Sequence, residues 1–225
     1  MHASLNTQLI LSIMSNPCPP NDSGSHPSDC QILENFRNRS EERSRQYDSP
    51  EHRLLMAKAE PIQLLLLDVD GVLTDGSLIY TENGSEGKSF NTQDGLGIRL
   101  VQKGGVEVGI ITARKSELVR RRAEELGMKY IMQGIGNKLD AFKEILKRSM
   151  LKPYQVCYMG DDWIDMALLS RVGLAACPAN GAPEVQDICH FVSSRAGGTG
   201  AAREVCDLII RAKGKHDSLL QEYMK

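Results

Sequence analysis

The alternation of apolar and polar positions changes character at Pro61. From Ser15 to about Ala59 the chain reads SNPCPPNDSGSHPSDC and then ENFRNRSEERSRQYDSPEHR, rich in Ser, Pro, Asn and charge and poor in apolar pairs. Such a stretch buries too little to offset its ordering entropy, so residues 1–60 are expected to form a disordered or weakly helical extension. From residue 61 to 225 short apolar runs alternate with amphipathic stretches, the pattern of strands and helices taking turns. Strands are predicted at Ile62–Leu67, Val106–Ile111, Tyr130–Met132, Val156–Met159, Leu174–Ala176 and Phe191–Val192. A helix is predicted over Glu117–Leu126, with Val119, Ala123 and Leu126 on one face, Ser116 as cap and Gly127 as stop. Another runs over Lys138–Met150, starting after Asn137 and ending before Pro153; Asp162–Ser170 and Ala201–Ala212 complete the set.

Apolar strands followed by helices need crossovers, and crossovers favour a parallel sheet covered on both faces. The expected fold class is therefore α/β, a doubly wound parallel sheet. The exception is Ser77–Thr92, where SLIYT and KSFNT flank the turn-like ENGSEG and predict a β-hairpin that projects beyond the carboxyl edge of the sheet.

Composition narrows the class without deciding it. A chain of 225 residues suits one domain with an extension, and 41% hydrophobic with 25% charged residues excludes collagen-like, wholly disordered and membrane classes. A net charge of −2 gives no pull toward nucleic acid or anionic lipid, and no apolar run is long enough to span a bilayer. LILSIM, near the start, lacks both a basic segment before it and a small-residue cleavage site after it, so a cytoplasmic location is expected. The six cysteines show no CxxC pair and no zinc-ligand spacing, and read as unpaired thiols.

Ligands of open α/β sheets bind outside the carboxyl ends of the strands, so the residues just past each strand belong together. They are DVDGVLTDG after the first strand, Thr112 after the second, Asn137 and Lys138 before the long helix, and GDDWIDM after the strand ending at Met159. Singly, each has a structural explanation: Asp68 and Asp70 as turn formers, Asp161 as a helix cap, Thr112 as a strand-end cap, Lys138 as a solvated helix residue. Jointly they place several acids, a hydroxyl and an ammonium at one edge. Alternation along an extended chain sends Asp68 and Asp70 to the same side, and Asp161 supplies a third oxygen group, a donor set for Mg²⁺. A carboxylate beside that ion can attack phosphorus: Asp68 is the expected nucleophile and Asp70 the acid and base. Thr112, Lys138 and backbone N–H groups near Gly71 are expected to hold the phosphoryl oxygens, and Asp165 to brace the metal's waters from behind.

At these residues the sequence resembles the haloacid dehalogenase superfamily of phosphohydrolases: DVDGVLTDG matches its first motif, IIT its second, Lys138 its third and GDDWID its fourth. GKSFNTQDGLGIRLVQKGGVEVGIITARKSELVRRRAEELG and AGGTGAAREVCDLII are similar to the small branch that has no separate cap domain and dephosphorylates sugar-acid phosphates. The resemblance implies a Rossmann-like sheet from residue 61 to the C-terminus. It implies Mg²⁺ held by the Asp68 side chain, the Asp70 carbonyl and the Asp161 carboxylate. It also implies a homotetramer packed through the hairpins, and a mobile flap at Gly197, Gly198 and Gly200 with Arg203 nearby. Arg114, in TAR, points to an eight-carbon sugar-acid phosphate, whose carboxylate an arginine holds as a fork. Thr92, in FNTQDG, looks more like the group acting on nine-carbon sialic-type acids, and Ala113 replaces the usual glycine; Arg122 is a candidate to reach a neighbouring site. Two rivals stand against this. A phosphate-accepting receiver domain carries adjacent acids after its first strand rather than DxD, and a non-catalytic binding subunit of the same fold would lack part of a set that is complete here.

Overall fold

The computed structural model describes residues 49–224, so the expected extension lies outside the described residues except for its last turns. There the boundary shifts. Pro50–Ala59 is a helix (α1) whose Ala59 is buried and whose Leu55 and Met56 pack on the core, and the compact unit begins at Glu51 rather than at residue 61.

The remaining elements follow in chain order. Strand β1 is Leu64–Leu67, and β2 (Ile79–Tyr80) pairs antiparallel with β3 (Glu86–Gly87). Helix α2 (Thr92–Lys103), β4 (Glu107–Thr112), α3 (Glu117–Glu125), β5 (Tyr130–Gln133), α4 (Lys138–Ser149) and β6 (Val156–Met159) come next. After them come α5 (Trp163–Leu169), β7 (Leu174–Cys177), α6 (Pro183–Ile188), β8 (Phe191–Val192), α7 (Ala201–Ala212) and α8 (His216–Glu222). One six-stranded sheet has the order β5-β4-β1-β6-β7-β8, with every pairing parallel. This is the expected doubly wound α/β fold.

The four leucines of β1 now have a physical reason. The strand sits in the middle of the sheet, so Leu65 and Leu67 enter one apolar cluster and Leu64 and Leu66 the other, all fully buried. Each such burial is worth about 1.5–3 kcal/mol relative to exposure, which ties β1 to both helical layers and makes its carboxyl end a rigid mount. Asp68 extends the mount, its N–H donating to the Met159 carbonyl of β6 at 2.9 Å.

Helices α6 and α8 are not among the expected elements, and two further departures bear on the site. The hairpin is shorter than SLIYT and KSFNT suggest, with two pairs in register: Ile79 with Gly87 and Tyr80 with Glu86. Lys88–Phe90 then leave the ladder, because Asn91 turns the chain by accepting the Gln93 N–H at 2.7 Å and caps α2. Helix α2 itself is absent from the expected set, since Gly95 and Gly97 lower its propensity. Tertiary packing reverses that: a Cβ at Gly97 would lie 3.1 Å from the Cα of Arg203, so the glycine lets α2 and α7 approach backbone to backbone.

Candidate active site

The loop after β1 does not continue the strand. The N–H groups of Val72, Leu73 and Thr74 all donate to the Val69 carbonyl, curling the chain into a turn over one acceptor. The period of two therefore ends at Asp68, and Asp70 does not share its pocket. The acids whose oxygens gather within 4.8 Å of one another are Asp68, Asp161 and Asp165, so the side-by-side arrangement of Asp68 and Asp70 carboxylates expected from alternation is corrected.

Each member of the cluster is fixed from a different element. Asp165, in the first turn of α5 and fully buried, is saturated: its Oδ2 accepts the N–H groups of Asp161 at 3.1 Å and Asp162 at 3.2 Å. Its Oδ1 accepts from the Tyr158 hydroxyl and from Lys138 Nζ at 2.6 Å. Lys138, buried at the start of α4, also reaches Asp68 Oδ2 at 2.9 Å, so one ammonium bridges the acid after β1 to the acid on α5. Burial works to lower the lysine's pKa, but the charges of Asp68 and Asp165 outweigh it and hold the ammonium above its ordinary value.

One ammonium does not balance three carboxylates. Burial, with Asp165 adding to it and Lys138 opposing, pushes Asp68 up to about 6. Burial together with the charges of Asp68 and Asp165 pushes Asp161 up to about 7. Asp161 Oδ1 is buried without a hydrogen-bond partner. Gly71, at φ +91°, lies so close that a Cβ there would stand 2.0 Å from Asp161 Oδ2, so only glycine fits against this carboxylate. Thr112, buried at the end of β4, stands on the strand beside β1, where Ile110 pairs with Leu67.

Asp70 faces the hairpin instead. Its Oδ1 is paired with Lys88 Nζ, and its Oδ2 lies 3.8 Å from Arg114 Nε. Arg114 Nη2 in turn binds Glu86 at 3.1 Å and the Tyr80 hydroxyl at 3.3 Å. Sequence reasoning missed Lys88, Glu86, Tyr80 and Tyr158. The glutamate lies within the ENGSEG turn signal and the lysine directly follows it, which could have flagged them, whereas nothing distinguishes Tyr158 from its core neighbours. Asp94 was also missed: it is buried, its Oδ1 accepts the Arg203 N–H at 2.8 Å, and it anchors the start of α7 to α2. Thr92 is the first residue of α2, and Arg122 lies over the Phe90 ring, 6.0 Å from its centroid, against Gly95; neither joins the acidic cluster.

The glycine-rich segment is seated rather than free. The Gly198 N–H donates to Val72 O at 2.9 Å, the Gly197 N–H to Asn180 Oδ1 at 2.8 Å, and a Cβ at Gly197 would meet Gly71 O at 1.7 Å. It is not a loose tail, because the residues after it form α7, whose Ala201, Ala202, Val205 and Ile209 are buried in the core. In this arrangement the segment expected to act as a flap lies against the Asp70 loop of its own chain.

Comparison with known proteins places the chain in a family. A family model of haloacid dehalogenase-like hydrolases matches residues 130–204. The 3-deoxy-D-manno-octulosonate 8-phosphate phosphatase of Escherichia coli K12 is 47% identical over 163 residues, covering 72% of this chain and 87% of its own length. This chain belongs to the haloacid dehalogenase-like hydrolases. Among solved structures, the corresponding phosphatase of Moraxella catarrhalis, crystallised with magnesium, phosphate and the eight-carbon acid, superposes with a TM-score of 0.74 at 37% identity, over 75% of this hydrolase and 97% of that chain. The cobalt-bound phosphatase of Haemophilus influenzae gives a TM-score of 0.71 at 36% identity, over 75% and 99% of the two chains. The hydrolase is thus an enzyme of the phosphatase branch those relatives represent. Its orphaned Asp161 oxygen, the raised carboxyls and the clearance at Gly71 fit a divalent cation held by oxygen donors. No described helix is long and apolar enough to cross a membrane.

Proposed function

We propose that the chain hydrolyses an eight-carbon sugar-acid phosphate, 3-deoxy-D-manno-octulosonate 8-phosphate, through an aspartyl phosphate on Asp68, with Mg²⁺. The observation that carries this reading is the Asp68–Lys138–Asp165 chain closed by an orphaned Asp161 oxygen. It is an acidic pocket in which three carboxylates meet one ammonium, two positive charges short of balance. Asp68 and Asp161, with the Asp70 carbonyl, would hold Mg²⁺, while Asp165 orients its surroundings through Lys138 and the loop N–H groups. When bound, the ion supplies positive charge that neutralises the crowded carboxylates and the substrate phosphate.

The chemistry is then a double displacement. The Asp68 carboxylate attacks phosphorus while the bond from phosphorus to the sugar oxygen breaks, and Asp70, as the acid, gives that oxygen its proton. In the second half Asp70, now a carboxylate, takes a proton from water; the water oxygen bonds to phosphorus and Asp68 is released. Thr112, Lys138 and the N–H groups around Gly71 hold the phosphoryl oxygens through both transfers. A soluble homotetramer built through the hairpins and a cytoplasmic location belong to the same proposal. Exposed Leu78, Ile79 and Tyr80 at the hairpin support the assembly.

Arg114 supports the eight-carbon acid, with Thr92 the feature that favours a nine-carbon one. A phosphate-release screen should show the eight-carbon keto-acid phosphate turned over at a higher kcat/KM than nine-carbon sialic-type 9-phosphates and simple hexose phosphates. A preference for the nine-carbon acids would move the chain to the sister specificity, and a preference for hexose phosphates would overturn the substrate class.

Cation binding should also appear in stability. Both Asp68 and Asp161 titrate above their unfolded values. Between about pH 4 and pH 7 the cation-free fold therefore holds protons that the unfolded chain has released, and its stability falls as pH rises through that window. Magnesium relieves the same repulsion, so its effect on Tm should be small at pH 5 and large at pH 8. At about one hundred times Kd the linkage is about 2.7 kcal/mol, or roughly 5–10 °C for a domain of this size. Differential scanning fluorimetry at the two pH values checks it; an equal shift at both would contradict the assigned ligands.

A further inference from the structure

The hairpin brings a buried cation to Asp70. The side chain of Lys88 is 1% exposed, and its Nζ is paired with Asp70 Oδ1 and lies 3.5 Å from Glu86 Oε1. Removing an ammonium from water is costly unless it is paired, so this placement is a built arrangement. Asp70 Oδ2 faces a second cation, Arg114, and Glu86 holds both cations. Glu86 is itself fixed opposite Tyr80 in the two-stranded ladder, and the Tyr80 hydroxyl accepts from Arg114. Each oxygen of Asp70 is thereby assigned to a different hairpin-anchored group, and the carboxylate stands outside the Asp68, Asp161 and Asp165 cluster.

We propose that Lys88 is a positioning residue for the reaction: it fixes the Asp70 carboxylate on the side of the leaving oxygen and the attacking water. The proposal rests on the two-step mechanism above and adds to it the reason the hairpin of the same chain is needed for chemistry. Asp70 hands a proton to the sugar oxygen as the phosphorus–oxygen bond breaks, and later takes one from water as the new phosphorus–oxygen bond forms. Both transfers need the carboxyl in one place. Without Lys88 it keeps only Arg114, at 3.8 Å, and is free to rotate.

A substrate with a good leaving group separates positioning from simple structural support. p-Nitrophenolate departs without a proton from Asp70, but attack of water on the aspartyl phosphate still requires Asp70 as base. In the full-length protein with Mg²⁺, Lys88→Met should therefore release a rapid burst of one nitrophenolate per active site and then turn over slowly. Turnover of the sugar-acid phosphate should fall about 100-fold or more, the usual contribution of general acid–base catalysis. Lys88→Arg should restore part of the steady rate, and Asp70→Asn should give the same burst. If Lys88→Met is poorly folded, Lys88→Gln keeps a donor without the charge and should show the same burst. Linear release without a burst from the Lys88 variants, while Asp70→Asn does show one, overturns the role of Lys88 and leaves the mechanism standing. Wild-type turnover by Asp70→Asn overturns the mechanism itself, and the Lys88 proposal with it.

Discussion

Asp68→Asn yields a folded protein that has lost phosphate release, by about 10⁴-fold or more, the scale on which removal of a covalent nucleophile acts. In the proposed mechanism nothing else replaces this carboxylate. Asp161 is displaced to the neighbouring strand end, Asp165 has both oxygens committed, and Asp70 faces the hairpin. Asn has the shape of Asp without the lone-pair charge that attacks phosphorus. The fold should not suffer, because the substitution removes one of three crowded acids, whose burial first and mutual repulsion second push Asp68 up to about 6 and Asp161 up to about 7. Lys138 keeps its contact with Asp165 at 2.6 Å. The expected result is therefore a Tm equal to or above that of the wild type, with no turnover. Phosphate release and thermal unfolding measured on one preparation test both halves, and turnover at the wild-type rate would remove Asp68 from the role of nucleophile.

Lys138→Met acts in the opposite sense on stability. Among the described residues the ammonium is the only cation bridging Asp68 and Asp165, and its loss leaves three buried or half-buried acids to repel one another. Breaking a buried pair by removing one partner costs about 3–5 kcal/mol, because the abandoned charges stay out of water. Urea unfolding should show that loss at pH 7.5. At pH 5 it should shrink, as the carboxyls take up protons and the charge they leave uncompensated disappears. Activity should fall by roughly 10²–10³-fold as well, the scale for removing one group that stabilises transition-state charge. The double variant Lys138→Met with Asp165→Asn separates the two effects: removing a second charge should recover part of the stability while activity stays lost. An unchanged unfolding midpoint in Lys138→Met would show that the ammonium is not what balances the cluster.

Much of this arrangement was legible in one dimension. The apolar run at Leu64–Leu67 followed by acids and a glycine announces a buried strand that ends at a ligand, because burial on both faces and a turn are both local demands. Asn137 before Lys138 reads as a cap, and the structure shows it capping α4 with Lys138 as the first helical residue. Helix α2 was not legible, because its glycines argue against a helix until the backbone of α7 is set beside them. The tight seat of the glycine segment 197–198 beneath the Asp70 loop was hidden for the same reason: the surface it packs on is more than 120 residues away along the chain.

By itself, the sequence determined the strands of the sheet and the helices over Glu117–Leu126, Lys138–Met150, Asp162–Ser170 and Ala201–Ala212, the parallel sheet, and the edge at which Asp68, Thr112, Lys138 and Asp161 must collect. These follow from periodicity, capping and turn chemistry, which act over a few neighbouring residues. Only the tertiary structure decided which acids share a pocket and which are kept apart. The turn over Val69 takes Asp70 out of register with Asp68, a lysine 18 residues on claims it, and the acid that joins Asp68 is brought by Lys138 from 27 residues further along the chain. Electrostatic partnership depends on distance in space and on exclusion of water, and neither is written in the spacing of residues along a chain.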